Sequence, residues 1–148
     1  MQIDTSWTAL LEYDKGRDNM KKKKVFISFD YDHDLELKNA LVAQAELDDS
    51  PFEINDVSIK QAIDQNWKSF ARRKIKESDV VVFICGRYTS NATGVTAEMS
   101  ITREENKAYF LLCGRKDGNV QKPQNAKNSD RVYKWDWQNL KNLINGFR

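Results

Sequence analysis

The sequence predicts an α/β fold, a single three-layer domain whose five-stranded parallel sheet is covered by helices on both faces. Short apolar runs alternate with stretches of helical periodicity along the chain. The strongest runs, "KVFISF" (24–29), "DVVVFIC" (79–85) and "AYFLLC" (108–113), are nearly continuous rather than alternating. Continuous apolar strands are buried on both faces, as in a parallel sheet wrapped by crossover helices. The length, 148 residues, suits one domain with a real core.

The elements follow in order. Residues 1–20 read as an N-terminal extension with a short helix around Trp7 to Tyr13, ahead of a domain spanning 21–148. The basic run Lys21 to Lys24 is a solvated lead-in to the first strand. A helix follows from Asp34 to Leu47, with Leu37, Ala40, Leu41 and Gln44 on one face and Asp34 as its N-cap. "PFEIN" (51–55) is the second strand, and a polar loop (56–66) separates it from the second helix. There Trp67, Phe70, Ala71 and Ile75 recur at i, i+3, i+4 and i+8. A third helix carries Glu98, and residues 114–130 are polar and expected to be a mobile loop. "RVYKW" (131–135) is the least marked strand. The last helix, 136–145, has Leu140, Leu143 and Ile144 on one side and Gly146 as its stop.

Composition removes several functions. Charge is nearly balanced, 24 basic against 22 acidic residues, which gives neither nucleic acid nor an anionic membrane a footprint. No apolar run approaches the ~20 residues that span a bilayer. The N-terminus lacks a signal peptide's basic start and apolar centre, so a cytoplasmic location is expected. Cys85 and Cys113 each close an apolar run and read as core thiols rather than a disulfide. His33 is the single histidine, too few for a Cys/His zinc site, and no nucleophile-elbow sequence occurs. No metal site is expected. Asp30, Asp32 and Asp34 resemble the Mg²⁺ cluster of phosphoacceptor receivers, but Cys85 stands where a receiver needs an aspartate. There is no GxGxxG or Walker A sequence.

With five strands the common order is the flavodoxin-like 2-1-3-4-5. Ligands of such sheets bind beyond the carboxyl ends of the strands, where the order reverses between strands 1 and 3. That rule selects two loops, "DYDHD" (30–34) and "GRYTSNATG" (86–94). The second leads into the helix carrying Glu98. At ~100° per residue, Glu98 falls between Val95 and Ile101, on the face where an apolar residue would normally sit. Trp67 fits two readings: a core residue at a helix start, or an aromatic face stacking on a flat cationic ring. Phe29 and Tyr31 bracket the end of strand 1. Phe29, Asp30, Tyr31, Trp67 and Glu98 are expected to line one crevice, with Ser58 and Asn91 on its polar rim.

These residues resemble the TIR superfamily, and within it the TIR-like sensors of Thoeris antiphage defence. "KKVFISFDYDHDLELKNAL" is similar to that group's first strand and helix, and "SPFEINDVSIKQ" to its second strand and following loop. "NWKSFARRKIKESDVVVFICG", "NATGVTAEMSI" and the terminal "YKWDWQNLKNLI" complete a likeness running from Lys22 to Phe147. The resemblance implies cleavage of the nicotinamide–ribose bond of NAD⁺, which is then a substrate rather than a cofactor. It implies Glu98 as the catalytic carboxylate and Trp67 as the aromatic residue opening helix 2. It further implies a cyclic or conjugated ADP-ribose signal read by a separate effector, a phage-derived trigger and self-assembly. Animal and plant members carry a tryptophan or cysteine shortly before the glutamate, where this chain has "GVTAE". Two alternatives share these features: a non-catalytic interaction module, and a nucleoside-transferring enzyme of the deoxyribosyltransferase kind.

Overall fold

The structure, a computed structural model, describes residues 22–58 and 66–148. The extension over 1–20 and its expected helix lie outside the described residues. Five strands are formed: β1 (Lys23–Ser28), β2 (Phe52–Val57), β3 (Val80–Cys85), β4 (Ala108–Cys113) and β5 (Val132–Tyr133). The helices are α1 (Leu35–Ala45), α2 (Trp67–Glu77), α3 (Thr93–Glu104) and α4 (Trp137–Ile144), with a 3-10 turn at Thr89–Asn91. The sheet runs in the order β2-β1-β3-β4-β5 with every pairing parallel. This is the predicted flavodoxin-like sandwich.

Alternation along the strands divides the core. Val25, Ile27, Val82, Ile84 and Leu112 face α1 and α4, where they meet Leu41, Leu140 and Leu143. Phe26, Val81, Phe83 and Leu111 face α2 and α3, where they meet Ala71, Ile75, Val95 and Met99. The second face matters here, because α3 carries Glu98 into it.

One irregularity sets the site. Val25 pairs with Ile54, but Phe26 pairs with Asp56, so Asn55 is an extra residue in β2. Its side chain donates to the Lys74 carbonyl at 3.0 Å and to Ser78 Oγ at 3.1 Å. A one-residue slip reverses which side chains face which way. Phe52 and Ile54 pack on the α1/α4 side before the bulge, and Val57 does so after it. Ser58 is thereby delivered to the α3 side, which unbroken alternation would have denied it.

Four expectations need correction. β5 covers two residues rather than 131–135, because it is an edge strand paired only to Leu111 and Leu112. Asp34 occupies the N-cap position of α1 but makes no side-chain cap bond; its carboxylate pairs with Arg115 instead, at 2.9 Å. Cys85 and Cys113 are the expected free thiols, register partners on neighbouring strands, but they are not both core residues. Cys113 is only half-buried, since β5 stops short of covering the end of β4. Residues 114–130 form no regular element, yet their polar groups tie them down. Gln121 N–H donates to the Gly86 carbonyl at 2.8 Å. Asp117 pairs with Arg87 at 2.8 Å, Asn125 donates to the Thr96 carbonyl at 3.0 Å, and Asp130 accepts from Tyr109 at 2.9 Å.

Candidate active site

Glu98 is buried, with 1 % of its surface exposed. It lies on the stripe Val95, Glu98, Met99 and Thr102, spaced i, i+3, i+4 and i+7, that α3 presses against the sheet. Burial alone would make a carboxylate there very unfavourable. Two hydroxyls offset this: Ser28 Oγ donates to Glu98 Oε1 at 2.7 Å, and Ser58 Oγ donates to the same oxygen at 2.5 Å. Both bonds go to the one oxygen, Oε1. Ser28 is the last residue of β1. Ser58 is fixed by its N–H donating to the Ile27 carbonyl at 2.8 Å and by its Oγ accepting from Phe29 N–H at 3.1 Å.

Burial pushes the Glu98 carboxyl up to about 7, against the two serine hydroxyls, which hold it lower. The serines therefore hold it below where burial alone would put it. Ser58→Ala should raise that value further, because it removes a bond made to the charged form. The ¹³C chemical shift of the Glu98 carboxyl, followed against pH, measures the change; a shift downwards would contradict the assignment.

A crevice of about 310 Å³ opens over this carboxylate beyond the carboxyl ends of β1 and β3. The structure brings Phe29, Asp30, Tyr31, Ser58, Asn91 and Glu98 to its walls. Phe29 is buried and Tyr31 stacks on it, with ring centroids 5.8 Å apart and an interplanar angle of 28°. Asp30 accepts from His33 Nδ1 at 2.7 Å, and this bond raises the histidine's pKa. Residues 92–95, the opening turn of α3, complete the rim.

Trp67 is not among the lining residues. It stands four residues before Ala71 on the buried stripe of α2, and its ring packs against the Phe26–Met99 side of the core. Of its two readings, that of a core residue at a helix start describes its place among the described residues; residues 59–65 just before it lie outside them.

Sequence reasoning did not single out Ser28, His33 or Tyr88. Ser28 carried a signal: a serine in an apolar strand, in phase with Phe26 and so aimed at the helix bearing Glu98. His33 and Tyr88 also line the crevice, with ring centroids 4.6 Å apart; nothing in their spacing marked them as partners. The three aspartates do not converge. Asp34 turns to Arg115, and among the described residues no group of His, Cys, Asp and Glu is placed to hold a metal ion. Nor is any helix among them long and apolar enough to cross a membrane.

The 2-1-3-4-5 sheet agrees with comparison to known families. The profile described as "Thoeris protein ThsB, TIR-like domain" matches residues 26–117. The chain belongs to this Thoeris ThsB TIR-like family. The match spans β1 to the residues just after β4, and so includes Ser28, the crevice loops and Glu98. No curated protein matches the chain. Membership makes it a TIR-like protein of the Thoeris defence type.

Proposed function

We propose that this TIR-like protein cleaves the bond between nicotinamide and ribose in NAD⁺. The observation that carries the reading is the Glu98 carboxylate, buried yet lining the crevice at the sheet's carboxyl edge. Nicotinamide in NAD⁺ is already a cationic leaving group, so the C1′–N bond can break with its electron pair leaving on neutral nicotinamide. No general acid is needed. Positive charge develops on the ribosyl carbon, and a fixed anion stabilises that state more than the ground state. Capture by an adenine nitrogen would give a cyclic ADP-ribose, and capture by another acceptor a conjugated one; either would serve as a signal for a separate effector, after a phage-derived trigger or self-assembly.

The rest of the crevice suits this substrate. At about 310 Å³ it is at the small end of small-molecule sites, which run from about 300 to 1,000 Å³. That is room for the nicotinamide–ribosyl half of a dinucleotide. Tyr31, 38 % exposed on top of Phe29, offers the flat face that Trp67 was expected to supply. The opening turn of α3, a 12-residue helix, presents the positive end of its dipole to the same rim, where a diphosphate would be favoured.

Two results are expected. NAD⁺ added to isotope-labelled protein should shift the amides of Tyr31, Asn91, Gly94 and Glu98; shifts confined to another face would sink the assignment. Because the reaction needs the ionised carboxylate, kcat/KM for nicotinamide release should rise as pH passes through about 7, the value for Glu98 in the free protein. A profile flat from pH 6 to 8 would contradict a catalytic role for the charge.

A further inference from the structure

The crevice is not the largest cavity among the described residues. A second, of about 1020 Å³, opens beyond the carboxyl ends of β4 and β5, between α1 and the 114–122 segment. Its apolar lining comes from both faces of the sheet: Leu37 and Trp135 from the α1/α4 side, Val120 and Val132 from the other. The Trp135 ring is held in place by its indole N–H, which donates to Gln44 Oε1 at 2.8 Å. The lining also carries four cationic residues, Arg115, Lys116, Lys122 and Lys134. Among the described residues only Arg115 of these has carboxylate partners, Asp34 and Glu36, each at 2.9 Å. Lys122 reaches two backbone carbonyls at 3.5 Å, which leave its charge unbalanced. The one acid lining the cavity, Asp136, accepts the Asn139 N–H at 2.8 Å as the cap of α4.

We propose that this cavity is a second ligand site, for an organic anion that joins a flat or apolar body to a phosphate-like head. The volume is at the top of the range for small-molecule sites. Three lining lysines, none with a carboxylate partner among the described residues, favour a negative ligand and raise its local concentration. A bare anion would use only half of the surface. Trp135, Val120, Val132 and Leu37 in the lining reward burial of a flat or aliphatic group, and a held indole adds stacking without having to be ordered first. A nucleoside monophosphate has both parts, so it is the natural probe.

The site adjoins the crevice through one side chain. Arg115 lines the cavity, and its guanidinium holds Asp34, whose neighbours 30–33 wall the crevice. The proposal does not depend on what the crevice does, because none of the groups it invokes touches Glu98.

The test is a titration of the full-length, isotope-labelled protein with AMP, adenosine and inorganic phosphate in turn. AMP should shift the Trp135 indole N–H and the amides of Cys113 and Gly114, and should bind more tightly than adenosine or phosphate. Lys116 and Lys134 are exposed, so the double variant Lys116→Glu, Lys134→Glu keeps the fold. It should weaken AMP roughly tenfold or more, and raised salt should weaken it in the parent. Glu98→Gln should leave AMP binding at this site unchanged. An unmoved Trp135 indole, AMP binding indifferent to the double variant, or phosphate binding as tightly as AMP would each overturn the proposal.

Discussion

Glu98→Gln should remove turnover and, above neutral pH, make the protein more stable. The two effects have one cause. The carboxyl titrates at 4.5 when exposed and at about 7 in the folded chain. Folding therefore takes up a proton between those values. Below pH 4.5 Glu98 is neutral in both states and adds no penalty; above about pH 7 its full desolvation cost is present. That cost is roughly 3 kcal/mol, or several degrees in Tm for a domain of this size. Glutamine stays neutral, and its carbonyl oxygen can accept the two serine bonds. Thermal melts at pH 4 and pH 8 check this: the variant should match the parent at the lower pH and exceed it at the higher. On the proposed chemistry the same substitution removes the charge that faces the breaking bond, a loss on the order of 10²–10³ in rate. Stability withheld at a working site is a common trade. A buried Glu98 with no part in the chemistry would show the stability effect alone.

Arg115→Ala should be the most damaging change outside the crevice. Asp34 is completely buried, and the Arg115 guanidinium is its ion partner. Its second carboxylate oxygen already lacks a hydrogen-bond partner, and no room exists to rearrange it: a Cβ placed on Gly86 would lie 2.1 Å from that oxygen. Taking away one member of a buried pair strands the other, at a cost on the order of 3 kcal/mol. Burial raises the Asp34 pKa while Arg115 lowers it. Without the arginine the carboxyl takes up a proton more readily, so the destabilisation should shrink as pH falls. Urea unfolding at pH 8 and at pH 5 measures both parts. An Arg115→Ala protein as stable as the parent at pH 8 would show that the pair is not what holds the 30–34 loop.

Much of this was legible in the chain, for reasons that also explain what was not. Glu98 announced itself because a helix buries a fixed stripe, and a carboxylate on that stripe breaks the pattern. The strands β1, β3 and β4 were readable because strands buried on both faces tolerate no polar interruption, and the sheet order followed. Phe29, Asp30, Tyr31 and Asn91 were found through the switch-point rule rather than through their own identity. Ser58 was named for the rim, but its bond to Glu98 depends on the Asn55 bulge, and alternation read from sequence would have turned it to the other face. The Asp34–Arg115 pair joins residues 81 positions apart, and neither residue carries a local sign of the other. Trp67 shows the limit of spacing: the same i, i+4 relation to Ala71 serves a core residue and a crevice wall equally well.

The most direct measurement is nicotinamide release from NAD⁺ by the parent and by Glu98→Gln, side by side in extract from phage-infected cells, with a folded-state check on both. The expected result is release by the parent, accompanied by an ADP-ribose-derived product, and a loss on the order of 10²–10³ in the variant. Equal release by the two proteins, or a parent that leaves NAD⁺ intact while still supporting defence, would contradict a catalytic Glu98.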